Sequence, residues 1–222
     1  MGFLTRWGVV ALVMVAAGCA ADAPQQTLSA GDLRRITTVR PTTPGWSWPQ
    51  APIPADAPPP YESPRVNETA TATIRDPLDV ALDGQIESAG GFVATDGSRW
   101  QDEQKLGVSV AWLLKSPTGA RTALAAQRTF AHGWAERTVG GGRFTDVPIE
   151  GLGDDAWRIQ SDFPGGQEVT YGWRRASLVM QVHIQCIFRN CPSDISLAAR
   201  AWVDAIDKEA VDAIDNGART SA

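Results

Sequence analysis

Histidine is almost missing from this chain of 222 residues: His132 and His183 are the only two. Cysteine is scarce as well, limited to Cys19, Cys186 and Cys191. A structural zinc site built on Cys186 and Cys191 would need two more ligands at suitable spacing, and two histidines are all the chain can offer. No metal and no other cofactor is therefore expected. The signatures of several reaction classes are lacking too. There is no Gly-x-Ser-x-Gly elbow, no His-Glu-x-x-His, no Gly-Lys-Ser/Thr phosphate loop and no Gly-x-Gly-x-x-Gly after a strand. Positive charge is in deficit, 20 Lys and Arg against 25 Asp and Glu, and it forms no long run. That composition gives no electrostatic footprint for nucleic acid and no polybasic membrane patch.

The apolar run at residues 7–17 is about ten residues long, half of what a membrane-spanning helix needs. It follows the single cation Arg6 and leads into Ala16-Ala17-Gly18-Cys19, which is the order of a secretory signal. One arginine rather than a pair points to the general export route. Small side chains before Cys19 suit a signal peptidase, and Cys19 stands where bacterial lipoproteins carry their acylated cysteine. Residues 1–18 are thus expected to be a lipoprotein signal peptide and Cys19 the lipid attachment site. The other reading is an ordinary signal cleaved near Ala20 or Ala21, with Cys19 discarded. Two or three acyl chains would anchor the protein firmly, since each buried methylene contributes about 0.8 kcal/mol and one chain alone is marginal.

Residues 41–64 hold nine of the fifteen prolines. Proline removes backbone donors and forces its neighbours extended, so helix and sheet are both disfavoured there. The spacing predicts a lipid anchor and proline-rich tether over residues 19–65, whose proline-rich part could reach on the order of 70 Å as polyproline II. Trp46 and Trp48 leave open a docking motif for a proline-recognising partner.

From residue 66 to 222 the composition is globular and fits one domain. Asp76-Pro77 starts a helix that should run to Gly90-Gly91. Leu106, Val108, Val110, Trp112 and Leu114 alternate as one face of a strand. Ser116-Pro117 opens a second helix, predicted over 117–138, that Gly140-Gly141-Gly142 would stop. Strands are predicted at 156–161, 167–173 and 177–187, the last two joined by a tight turn at Arg174-Arg175-Ala176. In the last strand Leu178, Met180, Val182, Ile184 and Cys186 would face a core, with Ser177, Val179, Gln181, His183 and Gln185 on a mostly wet face. Ser193 would cap a final helix that ends at Asn216-Gly217, with Asp204, Asp207, Asp212 and Asp215 on its solvated side. This order predicts an α+β domain: an antiparallel sheet with helices packed on it.

An even pair of cysteines in an exported domain is most simply a disulfide, so Cys186 and Cys191 are expected to form one. His132 and His183 could act as general bases only if the fold set a carboxylate or nucleophile beside them, and a surface or partly packed role is the expectation. Asp154-Asp155 could share a cation, although a turn role fits adjacent, diverging side chains better. Tryptophans 112, 134 and 202 already fit core positions by their spacing, against the alternative of a ligand pocket. No catalytic residue is expected, and the protein is expected not to be an enzyme.

The lipobox, the tether, Gly151-Leu152-Gly153-Asp154-Asp155-Ala156-Trp157, the VTYGWRRASLVMQV hairpin and the AARAWVDAI helix together resemble the small actinobacterial surface lipoproteins of the LpqN-like kind. Similar domains serve as extracellular sensor modules of membrane kinases. The resemblance implies a PsbP-like α+β fold with no established catalytic residues. It departs from the common hairpin pattern where Ala176-Ser177 replaces Gly-Asn. Taken together, the chain is expected to be a cell-membrane lipoprotein on the extracytoplasmic face. Its partners would be the membrane, through Cys19, and either an envelope protein or a small apolar ligand. An accessory subunit without its own ligand and an envelope hydrolase are the other readings.

Overall fold

The computed structural model describes residues 28–42, 48, 51–54, 84–101, 105–138, 143–163, 165–187, 191 and 194–220. The elements are α1 (Ala30–Thr37), β1 (Ile53–Pro54), β2 (Phe92–Gln101), β3 (Lys105–Leu114), α2 (Pro117–Thr138), β4 (Arg143–Pro148), β5 (Asp154–Phe163), β6 (Gly166–Arg175), β7 (Leu178–Ile187) and α3 (Ile195–Thr220). Seven strands pair antiparallel in the order β1-β2-β3-β7-β6-β5-β4. Helices cover both faces, so the class is α+β as the sequence implies.

Alternation along β3 shows why the sheet needs two covers. Val108, Val110, Trp112 and Leu114 point to α2, joining Leu124, Phe130 and Trp157. Ala111 and Leu113 point the other way, into a core with Trp100, Trp173, Met180, Trp202 and Ile206 beneath α1 and α3. Helix α2 has the predicted bounds, and Ser116 Oγ accepts from the Gly119 amide at 3.0 Å as its cap. Its sheet-facing side is built of Ala120, Ala123, Ala126 and Ala131, small residues that let the helix lie close to the strands.

Strand β7 corrects the wet-face expectation. Val179, Gln181 and His183 are buried along with the apolar set, because α2 covers the side that alternation alone had assigned to solvent. Strands β2 and β4 were not anticipated. The proline-rich segment also departs from its reading: Ile53 and Pro54 pair with Arg99 and Ser98 at the sheet edge, a position that tolerates a residue without an amide donor. More consequentially, α1 lies inside the stretch read as tether, and Leu28, Leu33, Ile36 and Trp48 belong to the core.

The helix expected at residues 76–91 is described only from residue 84, where residues 84–88 are helical and Ile86 packs under α2. Its Asp76-Pro77 start lies outside the described residues, as do Gly140-Gly141-Gly142 and Ser193. At α3 the capping side chain is Asp194, which accepts from the amides of Ser196 and Leu197 at 3.0 Å each. The helix continues through Asn216-Gly217 to Thr220. Asp207 is buried rather than solvated, bonded to Trp173 and Arg175 across the sheet, whereas Asp204 is exposed and pairs with Arg200.

Candidate functional site

The N-terminal residues 28–42, with Trp48, occupy a groove between β2, β3 and α3. Their helix begins with a reciprocal cap, Ser29 Oγ accepting from the Asp32 amide while the Asp32 carboxylate accepts from the Ser29 amide at 2.8 Å. These Ser29 bonds hold the Asp32 carboxyl below its ordinary range. Leu33 and Ile36, three residues apart, fall on one side of the helix and are fully buried. Eight residues are too few for a helix to persist alone in water, so α1 depends on this groove for its form.

Polar contacts fix the register of the segment. Ser109 on β3 donates to the Thr37 carbonyl, and the Thr37 hydroxyl donates to the Asp96 carboxylate on β2. Arg34 pairs with Asp96 at 3.3 Å and Arg35 with Glu209 on α3 at 3.2 Å. Trp202 Nε1 donates to the Val39 carbonyl at 2.8 Å.

Beyond α1 the Trp48 ring lies 6.3 Å from that of Trp202, which meets Trp100 edge-on at 5.3 Å. Gly107 makes this possible. A Cβ there would sit 3.1 Å from Trp48 and 3.2 Å from Trp202, so glycine lets two indoles converge over β3. Lys105 Nζ stands 5.8 Å from the Trp48 ring centroid. The groove therefore recognises a short amphipathic helix and a trailing indole. The sequence signal for it was present in Ser29-x-x-Asp32 with Leu33 and Ile36, overshadowed by the prolines that follow.

The residues singled out from sequence are scattered. His132 joins α2 to β4: its Nδ1 is 3.0 Å from Asp146, its Nε2 is 3.4 Å from Glu136, and Arg128 binds the same Asp146 at 2.8 Å. These acids and the edge-on Phe144 ring make it a structural clasp. His183 is only 4% exposed, more deeply buried than the surface or partly packed role expected for it, and its Nδ1 lies 3.0 Å from Thr170 Oγ1. Burial lowers its pKa to about 4, so the ring is neutral at pH 7. Ser161 donates to the buried Glu168 at 2.7 Å on the same side of the sheet, where burial raises the Glu168 pKa.

Asp154 and Asp155 converge instead of diverging. Asp155 has φ 52° and the β5–β6 register shifts there, a bulge that turns both carboxylates toward Arg174, at 3.4 and 2.8 Å. A guanidinium thus fills the place considered for a cation, and its hydrogen bond holds the Asp155 carboxyl below its ordinary range. Cys186 and Cys191 form the expected disulfide. The buried tryptophans at 100, 112, 157, 173 and 202 are core. Cys19 lies outside the described residues. Among the described residues no cluster of metal-ligating side chains occurs, and no helix is long and apolar enough to cross a membrane.

No family model and no curated protein matches the chain. Among solved structures, the chain is similar to the extracellular domain of PknH from Mycobacterium tuberculosis. The identity is 14% and the TM-score 0.36, over 62% of this chain and 72% of that one.

Proposed function

We propose that the protein is a lipid-anchored lipoprotein of the bacterial envelope whose extracytoplasmic domain binds a partner through the groove that residues 28–42 and Trp48 fill, without catalysing a reaction. The observation that supports binding is the groove itself, which reads two apolar side chains at helical spacing and an indole on glycine-backed strands. This recognition mode, a helix laid in a groove, favours a protein partner over a small apolar ligand. Support for export comes from the apolar leader with its small residues before Cys19, and from a disulfide of the kind kept in oxidising compartments.

Two masses test this reading. Intact mass spectrometry of the protein from an exporting bacterial host should give residues 19–222 plus acylated glycerol on Cys19; an unmodified cysteine, or a chain starting after it, refutes the anchor. Native mass spectrometry of the same material should show no companion that leaves on unfolding. A small molecule lost on denaturation would replace the protein-partner reading with a captured ligand.

A further inference from the structure

We infer that residues 28–42 together with Trp48 are a latch that sets how far the folded domain can stand from its membrane anchor. This rests on the lipoprotein reading of Cys19. Leu28, the first buried residue of the latch, stands nine residues after Cys19, and Ile53 in β1 stands thirty-four after it. With the latch docked, the span between anchor and domain is limited to about 30 Å. With the latch released and β1 still paired, the same limit becomes about 120 Å. The domain is thus held close to the bilayer by its own N-terminal segment rather than carried out on the full length of the proline-rich stretch.

The latch has the physical character of a two-position element. An eight-residue helix does not survive outside its groove, so partial release has no stable form. Its docking residues, Asp96, Gly107, Ser109 and Trp202, sit on strands and a helix that share one core with the latch, but the other face of the sheet has a second core, Val110, Trp112, Leu124 and Phe130 beneath α2, that includes no latch residue. The body can therefore outlast the latch. An amphipathic helix from an envelope protein that takes the places of Leu33, Ile36 and Trp48 would release the tether as it binds. Reach and partner binding are then coupled reciprocally: pulling the domain away from the bilayer opens the groove.

The test is energy transfer from a donor dye on the domain, placed at exposed Leu197 through an unnatural amino acid, to acceptor-labelled lipid in vesicles carrying the full-length protein as the host processes it. Two variants receive the same twenty-residue Gly-Ser insert, one after Pro24 and one after Gln50, between Trp48 and β1. A docked latch predicts that the first insert lowers transfer severalfold and the second leaves it unchanged. Equal losses from both inserts would overturn the inference. Adding Leu33→Asp and Ile36→Asp should abolish the difference between the two inserts. A difference that persists in that background would show that α1 is not the latch. If the host leaves Cys19 unmodified, the lipoprotein reading fails by itself, and the free Cys19 thiol is coupled to a maleimide lipid so that the same comparison still decides the latch.

Discussion

Trp173 and Asp207 join the sheet to the last helix: the indole Nε1 of one donates at 2.9 Å to Oδ1 of the other, inside the core. Arg175, from the same strand, donates to both oxygens of that carboxylate at 2.9 and 2.6 Å. The Asp207 bond raises the Arg175 pKa. Asp207→Ala would leave a buried indole N–H unpaired and a guanidinium without its partner. We expect a loss of about 2–3 kcal/mol in urea unfolding, with Asp207→Asn losing less because one acceptor remains. Equal, negligible losses in both would mean that water replaces the carboxylate.

Ala176 holds φ 50° in the two-residue turn between β6 and β7. A side chain in that region costs about 1–2 kcal/mol, which glycine does not incur. Ala176→Gly should therefore stabilise the domain by about 1 kcal/mol, less a few tenths for the added freedom of the unfolded chain. A lower midpoint of thermal unfolding would contradict this.

His183 gives the fold an acid sensitivity of definite sign. Its folded pKa of about 4 lies below the ordinary 6.5, so between these values the unfolded chain binds more protons and stability falls as pH falls. The full loss, about 3 kcal/mol, is reached below pH 4. Glu168 works against it: its raised folded pKa gives stability that is present at low pH and lost as pH rises above the carboxylate range. Substituting His183→Asn should flatten urea stability between pH 6.5 and 4, whereas Glu168→Gln, by removing the opposing contribution, should keep that slope and steepen it. An unchanged slope in His183→Asn would assign the effect elsewhere.

The Cys186–Cys191 bridge closes a very short ring, for which loop entropy predicts about 2 kcal/mol. The paired Cys186→Ser, Cys191→Ser variant should unfold at lower urea by about that amount while keeping its fold. Since Cys186 is fully buried at the sheet face under α3, a much larger loss would mean that packing at that end depends on the bridge.

How much of this was legible depends on what covers each element. Strand β3 and helix α2 were readable because their apolar stripes are long and face one environment each. Strand β2 was not: it carries Asp96, Gly97 and Ser98 in its middle, with Asp96 met by polar contacts from α1, so it lacks the apolar alternation of a strand on a hydrocarbon core. Strand β4 is a short edge with Arg143, Asp146 and Pro148, the residues that edges use to stay unpaired. The wet side given to β7 failed for the same reason in reverse, since period-two patterning reports polarity and not the presence of a second helical layer. Of the candidate site, the burial of His183 was not legible, and the groove went unseen because the segment that fills it lies within a stretch dominated by proline.

The order of strands also governs when the domain can form. Val108 on β3 lies opposite His183 on β7, so the central ladder joins a hairpin made early in synthesis to a strand made late. Until β7 arrives, β3 presents a full row of unpaired backbone groups, and the Ala111 side of its core lacks the cover of α3, which is made later still. A chain that enters its compartment N-terminus first would thus stay open through most of its passage, threadable by a translocation machine, and close only when its last third is delivered.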